Sequence, residues 1–261
     1  MKPYKNKTII RVNDLENSHA EDAVAEEKRL RISVNGKEIL KLYCSPTMVR
    51  ELVVGLFLTE GIIQGNWCME RLTVQYDQDI LVDIPAEGEV SLEGGARTSG
   101  CVGGMTFERT LTDTVMKDDV KIHKNNLTEV FHDFQKRSEL YIMTGCMHSA
   151  AVSDGRHILV VGEDIGRHNA VDKVIGYCAL EGIPMGDKII LVSGRLSSEM
   201  AVKCARCGIP IVVSRAAPTT LAVDIAEKQG ITMVGFMRGK RLNIYTHPER
   251  IIKQSPGNWT G

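Results

Sequence analysis

Residues 157–180 are HILVVGEDIGRHNAVDKVIGYCAL, and this stretch predicts a strand, a glycine-containing turn and a helix in that order. The strand is predicted over 157–161 and the helix over about 169–180. The alternation continues downstream, with further strands over 188–192, 210–213 and 232–236 and helices over about 196–207 and 219–229. This pattern predicts an α/β sheet with helices on both faces, in which ligands bind where strands end and helices begin.

The first third of the chain predicts a smaller α+β module. Its predicted elements are a hairpin over 29–43, a helix over 45–60 with Pro46 first and Gly61 as its stop, and short strands over 72–76 and 80–84. The hairpin prediction rests on Asn35-Gly36, which favours a type I′ turn. Residues 8–28 are polar with weak periodicity and predict an irregular arm or edge segment. Asn126 and Glu129 resemble a capping box, which predicts the start of another helix.

Composition narrows the function classes. The chain has 261 residues, of which 43% are hydrophobic and 25% charged, enough to bury a sizeable core. Its 32 basic and 33 acidic residues give no overall field that would attract nucleic acid or an anionic membrane. With no apolar run that predicts a signal peptide or a bilayer span, we expect a cytoplasmic location. Seven cysteines without a secretion signal indicate reduced thiols used in packing or chemistry.

A glycine-rich segment around Cys101 is the first candidate for chemistry. It runs Thr98-Ser99-Gly100-Cys101-Val102-Gly103-Gly104, with Arg97 just before it. A cysteine between glycines has little bulk beside it, so its sulfur can meet a large partner, and an adjacent arginine favours the thiolate. The pattern alone equally fits a glycine-rich connector with an incidental cysteine.

Two of the predicted strand-to-helix junctions carry glycine and arginine. They are 162–169, with Arg167 and His168, and 193–199, with Gly194 and Arg195. Free amides at a helix start and a nearby arginine form an anion site, although each junction alone also fits a capped turn whose arginine pairs with a local carboxylate. Two in one sheet favour a ligand with two phosphate-bearing ends.

Two later segments extend this basic character. The junction over 214–220 contains Arg215, and residues 235–241 contain Phe236 with Arg238, Lys240 and Arg241. A ring beside cations suits a base and its phosphates, whereas a solvated basic turn is the plainer interpretation. No Walker A loop or GxGxxG motif is present, which argues against an ATPase or a dinucleotide dehydrogenase.

The remaining cysteines do not predict a metal site. Cys204 and Cys207 form a single CxxC near the end of a predicted helix, without a second pair to complete a zinc site, and we expect them to be packing residues. Cys44, Cys68 and Cys178 are also expected in the core, whereas Cys146, close to His148, is left open. A zinc nucleobase deaminase needs H-x-E followed by P-C-x-x-C, but His148 is followed by Ser149 and Ala150 and Cys204 is preceded by Lys203, so we do not expect that chemistry.

Taken together, these motifs resemble the FdhD family, the formate dehydrogenase accessory sulfur carriers. The matching segments run in order from about residue 30 to 250: 59–63 (TEGII), 99–103 (SGCVG), 144–150 (TGCMHSA), 163–173 (EDIGRHNAVDK), 193–195 (SGR), 214–219 (SRAAPT) and 235–239 (GFMRG). The block over 163–173, with the cysteine segment upstream, is the most specific part. Where many family members carry a second loop cysteine, this chain has Gly104.

The resemblance implies a fold, an activity and partners. It implies a zinc-free, cytidine-deaminase-like α-β-α fold. Together with the element pattern, we expect a smaller α+β module over 1–122, ending in the Cys101 loop, and a cofactor-binding α/β domain over 123–261. It implies a sulfurtransferase that takes sulfur from a cysteine desulfurase as a Cys101 persulfide and passes it to the bis(molybdopterin guanine dinucleotide) cofactor of formate dehydrogenase. GDP or GMP would mimic part of that cofactor. The expected cofactor-binding residues are Arg167, His168, Gly194, Arg195, Arg215, Phe236, Met237, Arg238, Gly239, Lys240 and Arg241.

Three further expectations accompany this assignment. A cofactor with two guanine nucleotide arms suggests a homodimer in which each subunit binds one arm. A non-catalytic chaperone that only binds the cofactor or the apo-enzyme is the alternative from another class. A nucleotide hydrolase is a third possibility, countered by the lack of a recognisable arrangement of metal ligands or a base.

Overall fold

The structure is a computed structural model that describes residues 1–13, 16–64, 67–87, 89–90, 95–97, 105–107, 115–116 and 120–253. Its strands are β1 Tyr4–Val12, β2 Asn17–Ala25, β3 Lys28–Val34, β4 Lys37–Cys44, β5 Ile63–Gln64, β6 Thr73–Tyr76, β7 Ile80–Ile84, β8 Glu89–Val90, β9 Gly95–Arg97, β10 Met105–Phe107, β11 Ile122–His123, β12 His148–Ser153, β13 Ile158–Asp164, β14 Ile189–Val192, β15 Ile211–Ser214, β16 Thr232–Arg238, β17 Arg241–Thr246 and β18 Ile251–Ile252. Its α-helices are α1 Val49–Glu60, α2 Lys124–Lys136, α3 Glu139–Thr144, α4 Arg167–Leu180, α5 Ser198–Arg206 and α6 Thr220–Gln229.

A six-stranded sheet in the order β13-β12-β14-β15-β16-β17 forms the centre of the second half. β14, β15 and β16 are parallel, while β12 is antiparallel to both β13 and β14, so β13 runs in the same direction as the parallel strands. The carboxyl ends of these four strands therefore lie at one edge, together with the first residue of β12. The strand-to-helix junctions over 162–169, 193–199 and 214–220 lie at this edge.

Apolar side chains cover both faces of this sheet, as the alternating pattern predicts. On one face, α4, α5 and α6 pack against sheet residues such as Val152, Ile190 and Val212. On the other, Leu127, Val130, Phe131 and Phe134 of α2 pack against Ala151, Leu191, Val213 and their neighbours. The predicted mixed α/β class with helices on both faces is therefore confirmed.

The N-terminal module contains a four-stranded sheet in the order β4-β3-β7-β6, covered by α1. The hairpin predicted over 29–43 is confirmed as β3 and β4, with Asn35 and Gly36 at positive φ. α1 crosses α4 closely, because Gly55 and Gly176 face each other at the crossing. A Cβ placed on Gly55 would fall 1.8 Å from the carbonyl oxygen of Asp172, and one on Gly176 would fall 1.9 Å from that of Glu51.

Three local predictions are wrong, each for a physical reason. Residues 8–28 are not irregular: β1 and β2 pair over their whole length, but both faces are largely exposed, so no hydrophobic alternation marked them. α1 begins at Val49 rather than at Pro46, because Ser45 is buried and bonds to Asp164 instead of starting a helix. α2 begins at Lys124 and has no side-chain cap, since the β11 pairing with β18 ends immediately before it.

Within the described residues, no helix is both long and apolar enough to cross a bilayer. The domain boundary between 122 and 123 stays a prediction. Met116, on the N-terminal side of that boundary, donates its N–H to the carbonyl of Gln229 at 3.1 Å and packs on the second half of the chain.

Candidate functional site

The junctions after β13 and β14 meet at Gly194. A Cβ at Gly194 would lie only 3.2 Å from Cβ of Arg167, 3.3 Å from its Cδ, and 3.5 Å from Nδ1 of His148. Glycine at this position therefore allows the start of α4, the start of β12 and the loop after β14 to come together. The Ser193 hydroxyl adds a link, since its Oγ accepts the Ser149 N–H at 2.9 Å and lies 3.4 Å from Nδ1 of His148.

Further hydrogen bonds connect this part of the edge to the ends of β15 and β16. Ser214 donates its hydroxyl to the carbonyl oxygen of Gly194 at 2.6 Å and accepts the Ala216 N–H at 2.9 Å. The carbonyl of Ala216 in turn accepts the Phe236 N–H at 3.1 Å. The predicted segments around 167, 194, 215 and 236 are thus neighbours along one edge of the sheet, although they span some 70 residues of sequence.

Arg167 is the most unusual member of this group. It is the first residue of α4, its residue exposure is only 6%, and its Nε is buried without a hydrogen-bond partner among the described residues. A buried guanidinium nitrogen without a partner is costly, and helix N-termini favour anions. Both features indicate that an anionic group belongs beside Arg167.

His168 and Glu199 link the starts of α4 and α5. Nε2 of His168 lies 3.5 Å from Oε2 of Glu199, and both side chains are largely buried. The contact with His168 lowers the pKa of Glu199 to about 2, with Ser197 and Arg167 acting in the same direction against the effect of burial. Glu199 therefore stays ionised and keeps the two helix starts together.

His148 faces the same group of cations. Burial lowers the pKa of its imidazole, and the positive charges of Arg167 and His168 lower it further. His148 is therefore a neutral imidazole at pH 7, which can accept a proton or a hydrogen bond.

The C-terminal segment over 236–241 forms the end of β16, a turn, and the start of β17. Phe236 is half-buried with φ of 50°, at an irregularity in the β16–β17 register. Met237 is fully buried in the core, so a ligand would meet its backbone rather than its side chain. Arg238, Gly239, Lys240 and Arg241 are exposed, as are Arg195 and Arg215.

Comparison with known proteins identifies the relatives of this chain. Residues 25–252 match the model of the FdhD/NarQ family. The chain belongs to the FdhD/NarQ family. It is 39% identical over 239 residues to the sulfur carrier protein FdhD of Bacillus pumilus, covering 89% of this chain and 91% of that protein. With the sulfur carrier protein FdhD of Bacillus subtilis it shares 36% identity over 241 residues, or 90% and 92% of the two chains.

A solved relative supports the fold of this FdhD/NarQ chain. A crystal structure from Desulfotalea psychrophila, described as a formate dehydrogenase accessory protein, superimposes with a TM-score of 0.76 over 96% of this chain and 100% of that one. Their sequences are 24% identical, so this likeness bears on the fold alone.

The candidate thiol of this family member, Cys101, lies outside the described residues. The strands that bracket its segment pair with each other: β9 is antiparallel to β10, with Arg97 opposite Met105. The packing role predicted for Cys204 and Cys207 is confirmed, because both lie in or against the core and burial raises their pKa values, that of Cys207 to about 12. Among the described residues, no group of three or more metal-ligating side chains is present.

Sequence reasoning missed two buried charge clusters behind the site. Lys203 lies 2.9 Å from Glu60 and 2.8 Å from Asp172, while Lys173 lies 2.7 Å from Asp164. The sequence identifies segments 59–63 and 163–173 as family-like motifs but predicts no structural role for them. Their charged residues now prove to be partners that tie α1, α4 and α5 together.

Proposed function

We propose that this protein is a sulfur carrier for formate dehydrogenase maturation, which forms a persulfide on Cys101 and transfers its terminal sulfur to the molybdenum of a bis(molybdopterin guanine dinucleotide) cofactor. The reaction class is sulfurtransferase and the donor is a cysteine desulfurase. Support comes from the family assignment and from relatives that are named sulfur carrier proteins.

The observation that carries the proposal is the arginine-bearing edge of the central sheet. Arg167, Arg195 and Arg215 follow three strands whose carboxyl ends lie at this edge, and the Nε of Arg167 is buried without a partner in the described part of the chain. A cofactor with two nucleotide arms carries several phosphates, which such a row of cations and helix starts would bind. Phe236, half-buried at the same edge, offers a ring face for a guanine base.

The loading of Cys101 needs no external oxidant or reductant. The Cys101 thiolate attacks the terminal sulfur of the desulfurase persulfide, the donor S–S bond breaks, and the desulfurase cysteine leaves as a thiolate. Cys101 then carries the sulfane sulfur until the bound cofactor accepts it. In this scheme Arg167, Arg195, Arg215, Arg238 and the other expected edge residues bind and orient the cofactor.

Three finer points belong to the same proposal. The fold of the second half is proposed to be of the cytidine-deaminase type without zinc, with the domain division between 122 and 123. A homodimer is proposed because the cofactor has two equivalent nucleotide arms. GDP and GMP are proposed to bind at the arginine-bearing edge as partial mimics of one arm.

A single substitution separates this function from its chaperone alternative. Cys101→Ala is expected to abolish sulfur transfer while leaving the thermal melting temperature and the GDP affinity unchanged; Cys68→Ala is the matched control. Mass spectrometry after incubation with a cysteine desulfurase and cysteine should show one added sulfur on Cys101 in the unsubstituted protein. A chaperone that only binds cofactor would show none, and transfer retained by Cys101→Ala would overturn the assignment.

A further inference from the structure

A cleft of about 300 Å³ adjoins the arginine-bearing edge and shares Arg215 with it. Its polar lining includes Cys146, His148, Ser193 and Arg215. The aromatic rings of α2 and Tyr141 of α3 form much of its apolar lining. A nucleophilic thiol, a neutral imidazole and a cation thus share one small cavity.

Cys146 differs from the other described cysteines in its access to solvent. It is exposed, whereas Cys44, Cys178 and Cys204 are buried and Cys68 and Cys207 are half-buried. Burial raises the pKa of Cys44 to about 12 and that of Cys178 to about 11, which keeps these thiols protonated and unreactive. Cys146 is exposed, so a small reagent can reach its sulfur.

The backbone around Cys146 is held in place by capping interactions. Both carboxylate oxygens of Glu163 accept backbone N–H groups at the start of α3, from Leu140 and Tyr141, each at 2.9 Å. Gly145 ends the helix with φ of 65°, and the Cys146 N–H donates to Oγ1 of Thr144 at 3.2 Å. The cysteine therefore occupies a defined position between α3 and β12.

Positive charge is available on the side of the cleft next to the sheet. Arg215 is exposed, and no ion pair or hydrogen bond engages its guanidinium within the described part of the chain. Arg167 is a second, buried cation close to this side, although it does not line the cleft: a Cβ on Gly194 would lie within about 3.5 Å of both the Arg167 side chain and Nδ1 of His148, and the Arg167 Nε has no hydrogen-bond partner among the described residues. Cations near a sulfur favour a thiolate or a persulfide anion over the protonated form.

We propose that this cleft is a second sulfur-handling site, in which Cys146 accepts sulfane sulfur from a low-molecular-weight persulfide. A cavity of about 300 Å³ is at the small end of ligand sites, which favours a persulfide the size of cysteine over a nucleotide. The site goes beyond the function proposed above and does not require Cys101.

The proposed step balances in atoms and electrons. His148 takes the proton of the Cys146 thiol, and the thiolate attacks the terminal sulfur of the persulfide R–S–SH. The donor S–S bond breaks, a new S–S bond forms at Cys146, and R–S⁻ leaves and recovers the proton from His148. The net change converts one thiol and one persulfide into another persulfide and another thiol, so neither oxidant nor reductant is consumed.

The test uses the full chain with Cys101→Ala and cysteine persulfide as the probe. After alkylation and tryptic digestion, Cys146 lies in peptide 138–156 and Cys68 in peptide 51–71. We expect an added sulfur atom on peptide 138–156 well before any on 51–71. Arg215→Ala should slow this labelling about two- to fivefold, the size of a partly exposed charge interaction, and Arg215→Lys should restore most of it. Lys228→Ala, which removes an exposed cation on α6, should leave the rate unchanged.

Two results would overturn the proposal. One is peptide 138–156 without added sulfur in a protein whose melting temperature is normal. The other is labelling at the same rate on 51–71 and 138–156 that Arg215→Ala does not change, since that would reflect exposure alone. The Cys101 function is tested separately on peptide 98–109 of the unsubstituted protein with a desulfurase as donor, so failure of either proposal leaves the other intact.

Discussion

The crossing of α1 and α4 provides a sharp test of how the site is supported. Gly176→Ala would place a methyl group 1.9 Å from the carbonyl oxygen of Glu51 and 2.7 Å from the amide nitrogen of Gly55. Both obstacles are backbone atoms of α1, so no side chain can rotate away. Restoring an ordinary contact of about 3.4 Å requires the helices to separate by about 1.5 Å.

The expected magnitude follows from two opposing effects. Alanine is favoured over glycine inside a helix by about 1 kcal/mol. Overpacking of a well-packed interface typically costs about 1–3 kcal/mol, and separating two helices along their length lies at or above the upper end. We therefore expect Gly176→Ala to lower the free energy of unfolding by about 2 kcal/mol or more.

Urea unfolding followed by circular dichroism measures this difference. Gly186→Ala is the control, because its methyl group would meet nothing within 4 Å, and it should change the free energy by less than about 0.5 kcal/mol. A Gly176→Ala protein as stable as the unsubstituted one would refute the close crossing. Because α4 begins at Arg167, about 13 Å from Gly176 along the helix axis, the same substitution should also weaken GDP binding.

Three more substitutions test the charges at and behind the site. Lys203→Met leaves two buried carboxylates without their cation and should lower the free energy of unfolding in urea by about 3–5 kcal/mol; an unchanged value would contradict the buried cluster. Glu199→Gln should lower the free energy of unfolding by about 1–2 kcal/mol near pH 7. The folded-state pKa of Glu199 is depressed to about 2 from its ordinary 4.5, so the stabilisation is present above about pH 4.5 and is lost as the pH falls toward 2. Thermal melts of both proteins across that range check this, and a difference in melting temperature that persists at pH 2 would count against the contact with His168. Arg167→Ala should weaken GDP binding roughly tenfold by titration calorimetry, whereas Lys228→Ala should leave it unchanged.

The elements after residue 157 were predictable because short apolar strands, buried over most of their length, alternate along the chain with helices. Leu127, Val130, Phe131 and Phe134 likewise follow helical spacing, and all four are buried. Sequence patterns did not predict the elements whose side chains are mostly exposed. β1 and β2 are held by backbone pairing, and few of their side chains are covered, so nothing in their composition distinguishes them from an irregular arm.

The supports of the site could not be predicted because their partners are far apart in sequence. Lys203 reaches Thr59 across 144 residues, and Ser45 reaches Asp164 across 119. In a chain with balanced charge, each of these polar residues resembles an ordinary surface residue until the fold shows it to be buried. The exposed arginines were easier to find, because glycine and hydroxyl residues mark the junctions that carry them.

The segment over 163–173 thereby divides into two kinds of residue. Arg167 and His168 lie at the arginine-bearing edge, whereas Lys173 is fully buried and binds Asp164 at 2.7 Å and the Ser45 hydroxyl at 2.7 Å. Asp164 also accepts the Gly166 N–H at 2.9 Å, which fixes the turn immediately before α4. The buried ion pair therefore holds the start of α4, where Arg167 lies, from inside the protein. Substitutions at Asp164 and Lys173 should accordingly change stability first, and those at Arg167 should change binding first.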